Sequence, residues 1–123
     1  GCENLIAVSH SRDYGHTWSK PAPLEQKIPN PDSGLDVVKL KNGHVVLVCN
    51  PLKEGREKLT VFLSEDKGET FTHQRDLEAV EEDKNYHYPA VIQTQDGSIH
   101  VTYTNQRLNI KHARFDEAWI KET

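Results

Sequence analysis

Two residues have side chains suited to act on a charged ligand. Arg56 lies in the polar run Lys53-Glu54-Gly55-Arg56-Glu57-Lys58, and Tyr88 lies in Tyr86-His87-Tyr88-Pro89. A guanidinium is planar and permanently charged, so it can grip a carboxylate through two parallel N–H donors. A phenol titrates near about pH 10 and becomes a nucleophile only when a neighbouring base takes its proton. Taken alone, Arg56 reads as a solvated charge on a loop and Tyr88 as a half-buried strand residue. The 7 histidines raise the question of a metal. Yet His73, His87, His100 and His112 show no ligand spacing such as H-x-x-x-H, and they read as strand surface or, for His87, loop. Asp13 and Asp66 each lack a second ligand nearby, which makes a poor cation site. No metal and no cofactor is expected.

The elements that must position these groups come from a repeat. Ser11-Arg12-Asp13-Tyr14-Gly15-His16-Thr17-Trp18 and Ser64-Glu65-Asp66-Lys67-Gly68-Glu69-Thr70-Phe71 share the pattern S-x-D-x-G-x-T-(W/F), 53 positions apart. Val37–Val46, containing Asn42-Gly43, matches Val91–His100, containing Asp96-Gly97, 54 positions on. Two independent motifs on one period imply a repeated supersecondary unit.

Each Gly-containing turn sits between β-formers, a strong hairpin signal. Each octet joins a short strand before it (Leu5–His10, Leu59–Leu63) to one after it (His16–Lys20, Glu69–Arg75). One period therefore holds four strands. The chain is expected to contain the end of one unit and a linker (1–33), a complete unit (34–78) and a final partial unit (79–123) with strands Tyr88–Thr94, Ser98–Asn105 and Asn109–Phe115. Asp116 stands 50 positions after Asp66, but its segment lacks the glycine; it reads instead as the cap of a short terminal helix. Four-stranded sheets repeated at this interval are blades of a β-propeller, and a single antiparallel sandwich would not need the same octet in the same slot twice. The fold class is all-β: a fragment of a propeller of four-stranded antiparallel blades, one complete and two partial.

In the octets, Asp13 and Asp66 suit turns where a carboxylate accepts nearby backbone N–H groups. Gly15 and Gly68 supply positive φ, Ser11, Thr17, Ser64 and Thr70 complete the motif, and Trp18 and Phe71 are large enough to fill the space between neighbouring sheets. The octets read as structural.

Composition limits the alternatives. The 123 residues are 35% hydrophobic and 28% charged, with a net charge of −4. Nucleic-acid-binding domains usually carry a basic face, so a nucleic-acid partner is not expected. The apolar runs are a few residues long, as in Val45–Cys49, against the roughly twenty of a bilayer span, so no membrane span is expected either. The two cysteines, Cys2 and Cys49, form no disulfide framework; they read as thiols, with pairing left open. With Gly-Cys-Glu at the start and no Met anywhere, the natural N-terminus is expected to lie outside this sequence.

The octet resembles the Asp-box, or bacterial neuraminidase repeat, and the chain as a whole resembles the C-terminal part of sialidase-like six-bladed propellers. Two more segments carry the likeness. Asn50-Pro51, then Arg56, then Leu59-Thr60-Val61 resembles the sialidase pattern N-P…R-x-x-L-T-V. Tyr88-Pro89-Ala90-Val91, then Gln95-Asp96-Gly97-Ser98-Ile99 and Tyr103, resembles the Y-S-D-L…P-D-G-T-I…L-Y of the final blade. The resemblance implies an exo-acting glycoside hydrolase of sialidase type that cleaves a terminal acidic sugar with retention. Arg56 would bind the sugar carboxylate and Tyr88 would be the nucleophile. The activating Glu, the general-acid Asp and two further arginines would come from earlier blades. Asn50, Asn105 and Arg107 follow second strands and are candidate sugar contacts. Pro89, where the family has Ser, predicts an extended backbone at Tyr88, and the acidic stretch Glu78–Asp83 is unexpected beside an anion site.

Strand order checks the transfer independently. Turns alternate between the two ends of an antiparallel blade, which puts the 50–58 and 79–88 connections at one end, so Arg56 and Tyr88 should share a rim. The alternative function is a non-catalytic Asp-box propeller that binds carbohydrate or protein. The chain expressed alone is expected to be unstable or to self-associate, because an arc of blades leaves sheet faces uncovered. The likeness favours secretion or a periplasmic location.

Overall fold

Runs of β-formers punctuated by glycine turns give an architecture of stacked antiparallel sheets. The computed structural model describes residues 4–122. It contains strands β1 (Ala7–Val8), β2 (Ala22–Pro23), β3 (Asp36–Lys39), β4 (Val45–Cys49), β5 (Leu59–Ser64), β6 (His73–Glu78), β7 (Tyr86–Gln93), β8 (Ile99–Asn105) and β9 (Asn109–Phe115), then helix α1 (Glu117–Lys121). They form three sheets, β1-β2, β3-β4-β5-β6 and β7-β8-β9, in which every pairing is antiparallel. The middle sheet is thus a complete four-stranded meander.

Both hairpin turns form where the sequence places them. Gly43 N–H donates to Leu40 O at 2.9 Å, and Leu40 N–H donates to His44 O at 2.8 Å. The turn at Thr94–Ser98 repeats this at 3.0 and 2.9 Å. Gly43 and Gly97 take φ of 90° and 89°, where a Cβ would be strained.

The central sheet is covered on both faces, which explains why β4 and β5 are apolar almost throughout. Val46 and Val48 of β4 and Leu59, Val61 and Leu63 of β5 point to one side, where they pack with Val91, Ile99, Val101, Tyr103 and Phe115 of the last sheet. Leu47, Cys49 and Phe62 point to the other side, against Ile6, Leu24, Ile28 and Phe71. Cys49 is a free, buried thiol, and burial pushes its pKa up to about 12; Cys2 lies outside the described residues. The leading strands of the last two sheets run side by side. Val91 N–H donates to Asp36 Oδ2 at 2.9 Å, Lys41 N–H donates to Gln93 Oε1 at 2.8 Å, and Lys41 Nζ donates to Gln95 O. At the other edge α1 closes over β5 and β6, capped by Asp116, whose Oδ1 accepts from Trp119 N–H at 2.9 Å. Arg75 stacks on the Trp119 ring at 4.2 Å. Among the described residues, no helix is long and apolar enough to cross a membrane.

The two octets fold alike. Ser64 Oγ donates to Asp66 Oδ1 at 2.7 Å and accepts from Gly68 N–H at 2.8 Å, while Asp66 accepts from Thr70 N–H at 2.8 Å and from its hydroxyl at 2.5 Å. Ser11, Asp13, Gly15 and Thr17 make the same four bonds. The strands that follow start later than the sequence suggests. They begin at Ala22 and His73 instead of His16 and Glu69, because the Thr17 and Thr70 amides are committed to the carboxylates and cannot join a ladder. Trp18 also differs from expectation. It is 63% exposed, with its indole N–H on Gly15 O at 3.0 Å, since β1 and β2 have two residues each and offer little surface for it to cover. Phe71 is buried edge-on against Phe62.

Candidate functional site

The end of the sheets opposite the octets carries three connections: the β4–β5 loop (50–58), the β6–β7 loop (79–85) and the β8–β9 turn (106–108). The first is sewn to the start of β7 at several points. Asn50 Nδ2 donates to Lys58 O at 2.8 Å and to Tyr86 O at 3.2 Å, and its Oδ1 accepts from Ser33 Oγ at 2.8 Å. Tyr86 N–H donates to Arg56 O at 2.9 Å. The Arg56 side chain completes the attachment, donating from Nη1 to His87 Nδ1 at 2.7 Å.

Tyr88 stands beside this clamp. Arg56 Cζ lies 5.8 Å from its ring centroid, and the His87 ring lies 6.2 Å from it. Tyr88 is 70% exposed and has φ of 49°. The register of β7 on β8 slips between His87↔Thr104 and Ala90↔Thr102, so Tyr88 and Pro89 together oppose Tyr103. This is a β-bulge, and it corrects the extended backbone expected before Pro89: the bulge turns Tyr88 out of the ladder. Left-handed backbone at a bulky residue costs about 1–3 kcal/mol and clusters at functional positions. The ring rests on Gly34, where a Cβ would come within 2.9 Å of Tyr88 Cδ1.

Electrostatics follow from the same geometry. A guanidinium has no acceptor, so His87 Nδ1 offers a lone pair to Arg56 and the ring is assigned as neutral with its proton on Nε2. Burial, then the charges of Arg56 and Arg107, hold its pKa below the ordinary imidazole range. His87 is 6% exposed, and among the described residues Nε2 has no hydrogen-bond partner.

Of the acidic stretch Glu78–Asp83, Glu78 is an ionised carboxylate whose charge is paired by Lys111, while Glu81, Glu82 and Asp83 are exposed. Burial alone would raise the Glu78 pKa, but Lys111 and Tyr103 donate to Oε2, both at 2.7 Å, and hold the carboxyl low. Tyr103 itself is buried, and burial and Glu78 push its phenol up.

The candidate residues separate clearly. Arg56 and Tyr88 come together at one mouth, as strand order requires, and Arg107, in the turn beside it with φ of 58°, is near enough for its charge to act on His87. Asn50 is corrected: it is fully buried with its amide spent inside the protein, so it supports the loop and offers no face to a sugar. Asn105 is half-buried, its amide engaged within the hairpin by Asn109 and Gln106 at 3.1 and 3.3 Å. Two further residues join the mouth: His87, which in sequence flanks Tyr88 and reads as a loop residue more than a pocket one, and Gly34, which reads as the start of the complete unit with no site role. A groove of about 640 Å³ lined by His10, Arg12, Trp18 and Glu69 lies at the opposite end, beside the first octet.

Comparison with known proteins agrees with this architecture. The profile of the BNR repeat-like domain family matches residues 2–101. No curated protein matches the sequence. Among solved structures, the leech intramolecular trans-sialidase complexed with 2,7-anhydro-Neu5Ac superposes with a TM-score of 0.82 at 17% identity, over 97% of this chain and 21% of that one. The intramolecular trans-sialidase of Ruminococcus gnavus, in complex with oseltamivir carboxylate, gives 0.82 at 19%, over 98% and 30%. The GH93 α-L-arabinofuranosidase of Fusarium graminearum, with arabinobiose, gives 0.60 at 18%, over 89% and 36%. The chain therefore spans a fifth to about a third of these proteins, and the likeness is one of fold: a fragment of a sialidase-type propeller.

Proposed function

Since the chain belongs to the BNR repeat-like domain family, we propose that residues 1–123 are one region of a sialidase-like propeller enzyme, an exo-glycoside hydrolase acting on a terminal acidic sugar. Arg56 binds the sugar carboxylate. The neutral Tyr88 phenol attacks the anomeric carbon as a base supplied from another blade takes its proton; the bond to the leaving oxygen breaks and that oxygen takes a proton from a general acid. Water then displaces the tyrosyl group, giving net retention. A carboxylate nucleophile would be repelled by the substrate's own carboxylate, whereas a neutral phenol is not.

The observation that carries this reading is the approach of the Arg56 guanidinium to within 5.8 Å of the Tyr88 ring, at a mouth where the phenol is exposed on a left-handed backbone. The likeness to both sialic-acid and arabinose enzymes leaves two substrate charges to separate. In the complete protein, Arg56→Lys should raise KM for a fluorogenic sialoside about tenfold or more, because the bidentate fork is lost, and a neutral arabinofuranoside should be a poor substrate. Faster turnover of the arabinofuranoside, unaffected by Arg56→Lys, would refute the acidic-sugar assignment. Binding of a sialoside without hydrolysis would favour a carbohydrate-binding propeller. We further propose that the chain expressed alone self-associates through the outward face of β7–β9, where Ile92 and Ile110 are exposed; light scattering showing a concentration-independent monomer would contradict this.

A further inference from the structure

We propose that His87 is a positioning residue: its neutral imidazole holds the Arg56 guanidinium in place over Tyr88 without neutralising its charge. The inference rests on the reading of Arg56 as the carboxylate binder.

An arginine on a polar loop has many rotamers, and binding an anion from that ensemble costs the entropy of selecting one. Here the backbone and the side chain of Arg56 are both fixed to β7, through Arg56 O to Tyr86 N–H at 2.9 Å and Nη1 to His87 Nδ1 at 2.7 Å. The choice of partner matters. A carboxylate in the place of His87 would also orient the guanidinium, but it would cancel the charge and compete with an acidic ligand. The imidazole accepts a single one of the five guanidinium N–H groups and leaves the others for a ligand. It does so only while unprotonated, since an imidazolium has no acceptor and would repel Arg56. Burial among β7 neighbours and the second cation, Arg107, oppose protonation.

The test compares His87→Asn, whose side-chain oxygen can stand where Nδ1 accepts, with His87→Leu, which cannot accept, both in the complete protein. Expected is a rise of tenfold or more in KM for an acidic sugar in His87→Leu, with kcat changed less than threefold, and recovery to within threefold of wild type in His87→Asn. Equal KM in all three overturns the proposal. A readout independent of hydrolysis is the ¹⁵N spectrum of the His87 ring, expected to show an unprotonated Nδ1 and a protonated Nε2 at pH 7, and to lose this single tautomer in Arg56→Ala. A protonated Nδ1 in the wild type overturns the clamp. If no acidic sugar is hydrolysed or bound, the proposed activity fails while the ring spectrum still decides whether His87 holds Arg56.

Discussion

The ring of Tyr88 lies against Gly34, so closely that a Cβ on Gly34 would sit 2.9 Å from Tyr88 Cδ1 and 3.7 Å from its Cα. The residue that precedes the complete sheet thereby sets the position of a phenol on the next one.

Gly34→Ala should therefore displace the Tyr88 ring without disturbing either core. Gly34 is not among the positive-φ glycines, so the substitution brings no backbone strain of its own. A shift of about 1 Å in a reacting group can cost about 10²-fold in rate, and a loss of that order in kcat/KM is expected with Tm nearly unchanged. Activity within twofold of wild type would mean that the ring position is immaterial.

Asn50→Ala should act on stability. It leaves Lys58 O, Tyr86 O and Ser33 Oγ without their partner in a buried site, a loss of about 2–3 kcal/mol. Urea denaturation measures it. A raised KM in a protein of unchanged stability would instead restore Asn50 as a ligand contact.

The octet carboxylates give the chain an acid-labile component. Thr70, through its hydroxyl and then its N–H, and Ser64 hold the Asp66 pKa at about 2 against an ordinary 3.8, and Asp13 is lowered by the equivalent bonds. In that interval the unfolded chain takes up protons that the folded one refuses, so the contribution is complete above about pH 4 and falls as pH drops towards 2. Asp66→Asn should lower Tm at pH 7 and flatten its decline between pH 4 and 2. A decline as steep as that of the wild type would place the acid sensitivity elsewhere.

The parts of this architecture that are legible in the sequence are those closed by local hydrogen bonds. The Asn42-Gly43 and Asp96-Gly97 turns, and the octets at Asp13 and Asp66, each satisfy their own backbone within a few residues, so residue type and spacing suffice to place them. The shared rim of Arg56 and Tyr88 follows from the alternation of antiparallel turns. What the sequence hides is set by partners far along the chain. The bulge at Tyr88-Pro89 depends on register against Thr102 and Thr104, the role of Asn50 on where Ser33 and Tyr86 arrive, and the acceptor role of His87 on a guanidinium from another sheet. Trp18 reads as a packing residue by size alone, yet nothing in its two-residue strand pair commits a surface to it.

The most direct test of the account is the rate of Tyr88→Phe in the complete protein on a fluorogenic sialoside. Phenylalanine keeps the ring against Gly34 and under Arg56 and removes only the hydroxyl, so kcat/KM should fall by about 10³-fold or more with the fold and Tm intact. Hydrolysis retained within a few-fold of wild type would contradict the assignment of Tyr88 as the nucleophile.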